Sequence, residues 1–365
     1  MSRFDVIVIG GGLTGTAIAL GCQRHNARVA IVDEGDLAHR ASRSNFGLIW
    51  LQGKGLASEA YLQINTQAIR SWPDFALRLA EQTGINTGWR QPGGFHFCFG
   101  QEEVQQRKAL LANPKAWNSP DDVRFVERDE LEKIIPEIGP EVSGASYSPL
   151  DAEANPLYLL RAAHQAFIGQ GGSYYPNAPA HRIEPTSSGF TIHCGPDKYH
   201  ADKIVIAAGL GGKTLAEQVN IELPISPQRG QILVTERLKP FFPYVSNCVR
   251  QTVEGTILLG STQEQSCLDD HTDTANIRLL LHNGLRVFPG LDDARVVRIW
   301  AGLRILTPDG LPVYEQSEVF PGAFVVTCHS GLTLMSFHEE IIGKAIIDGA
   351  FPAELKSFRV NRFHV

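Results

Sequence analysis

The run Val6-Ile7-Val8-Ile9, followed at once by Gly10-Gly11-Gly12 and then by Leu13-Thr14-Gly15-Thr16-Ala17-Ile18-Ala19-Leu20, constrains this chain more than any other stretch. A short β-branched run without polar alternation reads as a strand buried on both faces, as in a parallel sheet. The glycines break it, and the small and apolar residues that follow suit a helix. Gly10, Gly12 and Gly15 stand in the spacing of a dinucleotide fingerprint. One serves the tight turn, one lets backbone approach a pyrophosphate, and one packs helix closely on strand. Leu13 and Thr14 open the helix, whose free N–H groups and dipole favour the phosphates. A second apolar run, Ala27 to Val32, ends in Asp33-Glu34. An acid at that point can accept the ribose hydroxyls of an adenosine. Asp33, directly after the strand, is the favoured acceptor, with Glu34 as a capping or solvated residue.

A length of 365 residues suggests about two domains with substantial cores. Hydrophobic content of 43% and charged content of 20% place the chain among soluble globular proteins. A net charge of -6 gives no electrostatic reason to expect nucleic acid or an anionic membrane as partner. The first apolar run is short and glycine-broken, so neither a signal peptide nor a transmembrane helix is expected. Cys22, Cys98, Cys194, Cys248, Cys267 and Cys328 are scattered and form no Cys-x-x-Cys pair. This argues against a zinc or iron–sulfur site within the chain and for a reducing compartment, the cytoplasm.

Further along, Ala41-Ser42-Arg43-Ser44-Asn45-Phe46-Gly47-Leu48 leads to an exposed-looking Trp50 and to Lys54. A surface loop is the plain reading. The sharper one is a loop lying along a cofactor, with Ser42, Arg43 and Ser44 near its phosphates and the Asn45, Phe46, Gly47 and Leu48 backbone beside its ring. Periodicity predicts a helix over 58–83 interrupted at Trp72-Pro73. An aromatic strand is expected over 89–99, where the chain leaves its first domain, and helices over 102–112 and 128–135. Asn155-Pro156 predicts a capped helix start before 157–167. Strands are expected at 189–194 and 201–209, the latter bringing Ala208 and Gly209 back to the first domain. Ala180 is expected as a further cofactor contact. Strands at 228–234, 255–260, 298–304 and 323–327 follow, and then a helix over about 332–348.

Only one glycine fingerprint is visible, with no second nucleotide site and no redox cysteine pair. One tightly held dinucleotide reduced directly by an organic substrate is the simplest inference, and the late return to the first domain favours FAD over NAD. The expected fold is α/β, a Rossmann-like FAD-binding domain (1–83, 145–225 and 298–365) interleaved with an α+β substrate domain (84–144 and 226–297) built on a mixed or antiparallel sheet.

VIVIGGGLTGTAIAL, IVDEG, ASRSNFGL, ADKIVIAAG, WAGLRILTPDGLP and VVTCHSGLTL, in that order, resemble the FAD-dependent amine and D-amino acid oxidoreductase family that includes glycine oxidase and sarcosine oxidase. SRSNFGLIWLQGKG with CHSGLTL is most similar to the catalytic B-type subunits of opine oxidases, hydrogen cyanide synthase and D-hydroxyproline dehydrogenase. The resemblance implies noncovalent FAD and oxidation of the C–N bond of an opine, D-amino acid or imino acid to an imine, which water hydrolyses to a keto acid and an amine. It also implies work as the catalytic subunit of a heteromer whose partners carry further redox centres. A self-sufficient oxidase of the glycine or sarcosine type is the enzymatic alternative, and an electron-transfer flavoprotein without its own substrate is the alternative of another class.

Arg304, two residues after Gly302, matches the family position that holds a substrate carboxylate, a role suited to a bidentate guanidinium. A structural ion pair is its plain alternative. Arg250 is a second candidate, with an exposed salt bridge as alternative; the glycine-oxidase pattern places a tyrosine ahead of it, and Val245-Ser246-Asn247-Cys248 offers none. Lys54 can stabilise negative charge near the flavin, meet an acidic substrate, or be a solvated loop residue. His329 and Ser330 come where the family's terminal motif meets the flavin ring. Backbone groups of Gly331, Leu332 and Thr333, at the expected helix start, can stabilise a reduced anionic flavin.

Overall fold

Val6, Val8, Ile7 and Ile9 are buried because the strand Arg3–Ile9 has a parallel neighbour on each side, Val29–Val32 and Asp197–Ile206. The computed structural model describes residues 3–35, 41–54, 58–113, 122–265 and 268–363. Side chains alternate across this first strand: Val6 and Val8 enter one core, Ile7 and Ile9 the other. The first core is closed by the helices Leu13–Gln23, Glu59–Thr83 and Pro156–Gly169, and the second by residues such as Ile192, Leu215 and Leu223. The sheet continues through Ser173–Tyr175 at one end and, at the other, through Ala323–Thr327 and the antiparallel strand Val313–Gln316.

A second sheet turns on the long strand Ser226–Arg237, which pairs antiparallel with Val296–Leu306 from Ser226 opposite Leu306 to Thr235 opposite Val296. Val245–Ser246 runs parallel to Gly94–Phe99 while the other described pairings are antiparallel, so this sheet is mixed. Phe95, Phe97, Phe242 and Phe288 fill its core. Two of its strands, Val142–Ser148 and Val296–Leu306, run across the domain boundaries expected at 144/145 and 297/298. Strand character was readable there, but nothing in a single strand's composition says which of two sheets it joins.

The helix Glu59–Thr83 runs without a break through Pro73, contrary to the expected interruption. Ser58 Oγ caps it by accepting the Tyr61 N–H at 3.2 Å, and Gly84 ends it in a left-handed turn at φ 68°. An interior proline costs about 3 kcal/mol. Trp72 and Phe75 bury their rings fully, each contributing on the order of 2–3 kcal/mol. Trp72 Nε1 also donates to the Thr333 carbonyl at 2.9 Å, which fixes the helix immediately before the proline. Asn155 Oδ1 accepts the N–H groups of Leu157 and Tyr158 at 3.0 and 3.3 Å, opening the helix that begins at Pro156.

The last long helical segment starts at Met335, not near Leu332, because residues 329–334 close into successive turns. It includes a π-helical turn at His338–Ile342 and runs to Asp348. It lies directly on the first helix. A Cβ on Gly21 would stand 2.1 Å from the Glu339 carbonyl oxygen, and one on Gly343 would stand 2.5 Å from the Gly21 Cα. The buried Glu339 carboxylate is held by Arg24 and Arg78, each at 2.9 Å. Among the described residues no helix is long and apolar enough to cross a membrane. Gly21→Ala is expected to destabilise the fold by about 1–3 kcal/mol through overpacking. A lowered thermal midpoint checks this, and an unchanged one would mean that the two helices part at no cost.

Candidate active site

Gly10 adopts φ 109°, and a Cβ there would lie 2.5 Å from the Ala207 carbonyl oxygen on the neighbouring strand's exit. A Cβ on Gly15 would lie 2.0 Å from the Gly10 carbonyl oxygen. The turn is therefore made of backbone packed on backbone. Gly12 precedes the helix and supplies no side-chain cap; Ser42 Oγ accepts the Leu13 N–H at 3.0 Å instead. The Asp33 carboxylate accepts the Gly11 N–H at 2.7 Å and the Gly35 N–H at 2.8 Å. It faces the same space and keeps further lone pairs for a ligand hydroxyl.

That space is a cavity of about 1190 Å³ at the carboxyl ends of the parallel strands, where Ile9, Val32, Ala207 and Thr327 meet. Ligands of open α/β sheets bind at such strand ends. Of the residues singled out in the sequence, Gly10, Gly12, Thr14, Asp33, Glu34, Ser42, Arg43, Ala180, Ala208 and Gly209 line it. Leu13 and Gly15 are buried behind the turn. Leu303, Ile305, Cys328 and Leu268 also line it and were not foreseen. Nor was His164, whose Nε2 lies 2.7 Å from the Gly11 carbonyl oxygen while its ring stacks on Tyr174. A histidine in a helix carries no mark of such a contact, which exists only once helix and turn are packed.

Residues 41–54 are pinned along one side of this space. Ala41–Ser44 forms a short helical turn, and Asn45 ties it off by donating to the Ser42 carbonyl at 3.0 Å and accepting the Gly47 N–H at 2.9 Å. Ser44 is buried against Gly302, where a Cβ would meet its Oγ at 1.9 Å, and its carbonyl accepts Trp300 Nε1 at 3.0 Å. Phe46 packs near Gly260 and under Arg250, and Leu48 pairs with Glu153. Trp50 is half-buried rather than exposed, its N–H donating to Thr333 Oγ1 at 3.2 Å. Residues 36–40 lie outside the described residues.

The two candidate arginines have different surroundings. Arg250 is buried in an ion pair with Glu153 at 3.2 Å, which Arg90 also contacts, so its salt bridge is an interior one and not the exposed one expected. Arg304 is half-buried and donates to Gln228 Oε1 at 3.2 Å, to the Thr262 carbonyl at 2.9 Å and to Ser261 Oγ. All three partners are neutral. Among the described residues no carboxylate lies within ion-pair distance of Arg304, although Glu264 acts on it at longer range.

Lys54 and His329 share this electrostatic neighbourhood. Burial holds the Lys54 ammonium down at about 8, opposed by Cys328 and assisted by Arg304. His329 is exposed to solvent although protein crowds its ring. Burial, then Lys54 and Arg304, hold it down at about 3, so it is neutral at ordinary pH. Cys328, beside Thr14, is pushed up to about 11 by burial and remains a thiol. Ser330 Oγ accepts the Tyr61 hydroxyl at 2.9 Å. Gly331, Leu332 and Thr333 lie in the turns before Met335, so their backbone does not form a helix N-terminus as expected.

Residues 5–343 match the DAO family, described as FAD dependent oxidoreductase. The chain belongs to that family. It is similar to the opine oxidase B subunit of Agrobacterium tumefaciens (strain Ach5), 38% identical over 100% of this chain and 99% of that one. It is also similar to the opine oxidase B subunit of Rhizobium meliloti, 36% identical over 100% and 98%. Its fold superposes on the crystal structure of glycine oxidase from Geobacillus kaustophilus with a TM-score of 0.92, 24% identity and 99% coverage of both chains.

The cofactor of this FAD-dependent oxidoreductase fits the residues present. Gly10 and Gly15 leave no room for side chains where backbone must close under a pyrophosphate, and the cavity runs from Asp33 and Glu34 to Cys328. Asp33→Ala deprives the Gly11 and Gly35 N–H groups of their acceptor. The expected outcome is a lower flavin-to-protein ratio after gel filtration at unchanged secondary structure. A wild-type ratio would show that the carboxylate is dispensable for flavin retention.

Proposed function

We propose that this chain oxidises the C–N bond of an opine, D-amino acid or imino acid to an imine, which water hydrolyses to a keto acid and an amine. Arg304 is the observation that carries this reading: a cation with only neutral hydrogen-bond partners among the described residues, on a strand whose Leu303 and Ile305 line the dinucleotide cavity. A guanidinium so placed can take a substrate carboxylate bidentately without first giving up an ion pair. Holding the carboxylate fixes the distance and direction of the neighbouring C–H bond. FAD, when bound, supplies the two-electron acceptor. The positive field of Arg304 and Lys54 favours the neutral amine, whose lone pair is needed to form the imine. His329, neutral beside these two cations, adds no charge of its own.

The likeness over full length to two opine oxidase B subunits supports placing this chain as the catalytic subunit of a heteromeric dehydrogenase, with partner subunits that carry further redox centres. Cys22, Cys98, Cys194, Cys248 and Cys328 are free, which supports a reducing compartment, the cytoplasm.

Anaerobic titration of the purified flavoprotein with opines, D-amino acids, D-hydroxyproline, sarcosine and glycine tests the reaction. One class is expected to bleach the oxidised-flavin spectrum. Arg304→Gln is expected to raise the half-saturating concentration about 30-fold or more, the loss of a charge-assisted contact of about 2 kcal/mol. Bleaching by no amine, with or without co-purified chains, would reject the reading in favour of an electron carrier. Rapid reoxidation by oxygen in the isolated chain would favour the self-sufficient oxidase.

A further inference from the structure

Glu103 and Arg107 stand on the helix Gly100–Leu111 at the i, i+4 spacing where opposite charges usually pair. Here they do not pair: Glu103 accepts the Phe99 N–H at 2.8 Å, and Arg107 turns inward. Only 6% exposed, Arg107 donates from Nε to Ser146 Oγ at 2.6 Å and from Nη2 to Gln52 Oε1 at 3.0 Å. Both acceptors are neutral. Among the described residues no carboxylate lies within ion-pair distance of Arg107, and Asp151 is reached only through Gln52. Arg107 Nη1 takes no acceptor among the described residues, yet it is not sealed from solvent.

Arg107 lines a cavity of about 560 Å³ between this helix and the helix Thr274–Val287, and this cavity shares no lining residue with the dinucleotide cavity. The other cation on its wall, Arg286, is paired with Glu141 at 2.7 Å and lies 3.9 Å over the Phe99 ring. Asn247, in the turn between the strands Val245–Ser246 and Val249–Gln251, accepts the Phe97 N–H on Oδ1 at 3.3 Å. Its Nδ2 donors are left without an acceptor among the described residues. Phe99 and Leu110 add apolar surface, and the exposed Glu103 on the same wall repels a second negative charge. A guanidinium taken out of water without a direct counter-ion gains most from a ligand that brings one. One carboxylate on a partly apolar body fits this wall, with the carboxylate on Arg107 and Asn247.

The hydrogen bonds of Arg107 lead toward the active site. Gln52, which accepts from Arg107, donates to Asp151 at 2.7 Å and to the Gly94 carbonyl at 3.0 Å. Asp151 accepts the Leu51 N–H at 2.7 Å, and the Trp50 N–H donates to Thr333 Oγ1 at 3.2 Å. A ligand that draws the guanidinium toward its own carboxylate therefore acts on the segment that flanks the dinucleotide cavity. We propose that the cavity at Arg107 is an effector site for an organic monocarboxylate, anchored on Arg107 and linked to the active site through Gln52. It is separate from the substrate carboxylate site at Arg304, and it does not depend on the C–N oxidation proposed above.

Equilibrium dialysis of radiolabelled phenylacetate against the flavoprotein, with whatever subunits co-purify, tests the site. Arg304→Gln serves as the background, so that binding at the substrate site is set aside, and phenylacetate is expected to bind there still. Adding Arg107→Gln is expected to weaken that binding at least about tenfold, the loss of a charge-assisted contact. Asn247→Asp keeps Arg107, its two bonds and an acceptor for the Phe97 N–H, but puts a carboxylate on the wall. It too is expected to weaken binding at least about tenfold, and it decides the matter where Arg107→Gln fails to fold. Phenylacetamide, of the same shape without the charge, is expected to bind at least about tenfold more weakly than phenylacetate. Loss of all phenylacetate binding in Arg304→Gln alone, binding untouched by Asn247→Asp, or equal binding of the amide would each overturn the site. Inorganic phosphate displacing the probe with equal affinity would overturn the carboxylate assignment. In the Arg304→Gln background, occupancy is also expected to perturb the oxidised-flavin spectrum, and Asn247→Asp to remove that effect. A spectrum unmoved at saturating phenylacetate would overturn the link through Gln52, and with it the effector role.

Discussion

Everything in this fold depends on how closely two pieces of main chain approach at the first turn. Gly10 lies against the Ala207 carbonyl, and Gly15 lies against the Gly10 carbonyl, so strand, turn and helix are stacked with no side chain between them. This closeness aims the N–H groups of the helix start at the cavity and lets a single carboxylate, Asp33, reach both Gly11 and Gly35. The same closeness recurs where the first helix meets the last one at Gly21 and Gly343. The first helix is therefore gripped at both ends by backbone contacts, and the cavity it borders inherits that rigidity.

Around this frame, the chain treats its buried cations in distinct ways. Arg250 is neutralised by Glu153 and becomes part of the scaffold that supports Gly47 and Phe46. Arg107 donates to Gln52 and Ser146, with Asp151 one hydrogen bond further on, so its charge is balanced at second hand. Arg304 receives only neutral acceptors. The chemical type is the same in each case, and the surroundings decide whether the charge is neutralised inside the protein or left with neutral partners among the described residues.

The glycine turn, the strands on both sides of it and the acid after the second strand were legible because each is enforced locally: φ, close approach and burial leave few residues that can stand there. The match of Ser42 and Arg43 to the cavity was legible for a similar reason, since a polar, glycine-punctuated stretch after such an acid has little else to pack against. Three features were not. Pro73 announces a break that Trp72 prevents by burying its ring and bonding Thr333, a contact far away in sequence. The late start of the last helix is set by the packing of residues 329–334 against Tyr61 and Trp50, not by their propensities. The fate of Arg250 depends on Glu153, which lies on another strand and has no sequence spacing that would link the two.

The interleaving of the two sheets has a consequence for how the molecule is made. The strand Arg3–Ile9 needs Asp197–Ile206 as its second parallel neighbour, and that strand in turn needs Ala323–Thr327. Between them come the earliest strands of the other sheet, which itself waits for Val296–Leu306. Neither sheet can close while the ribosome is still working through the middle of the chain, so an apolar strand made at the very start waits for a neighbour made past the middle of the chain. Topologies dominated by such distant parallel pairings fold slowly and expose sticky edges on the way. Yield in a foreign host should then be governed less by the stability of the finished protein than by how long that first strand is left waiting.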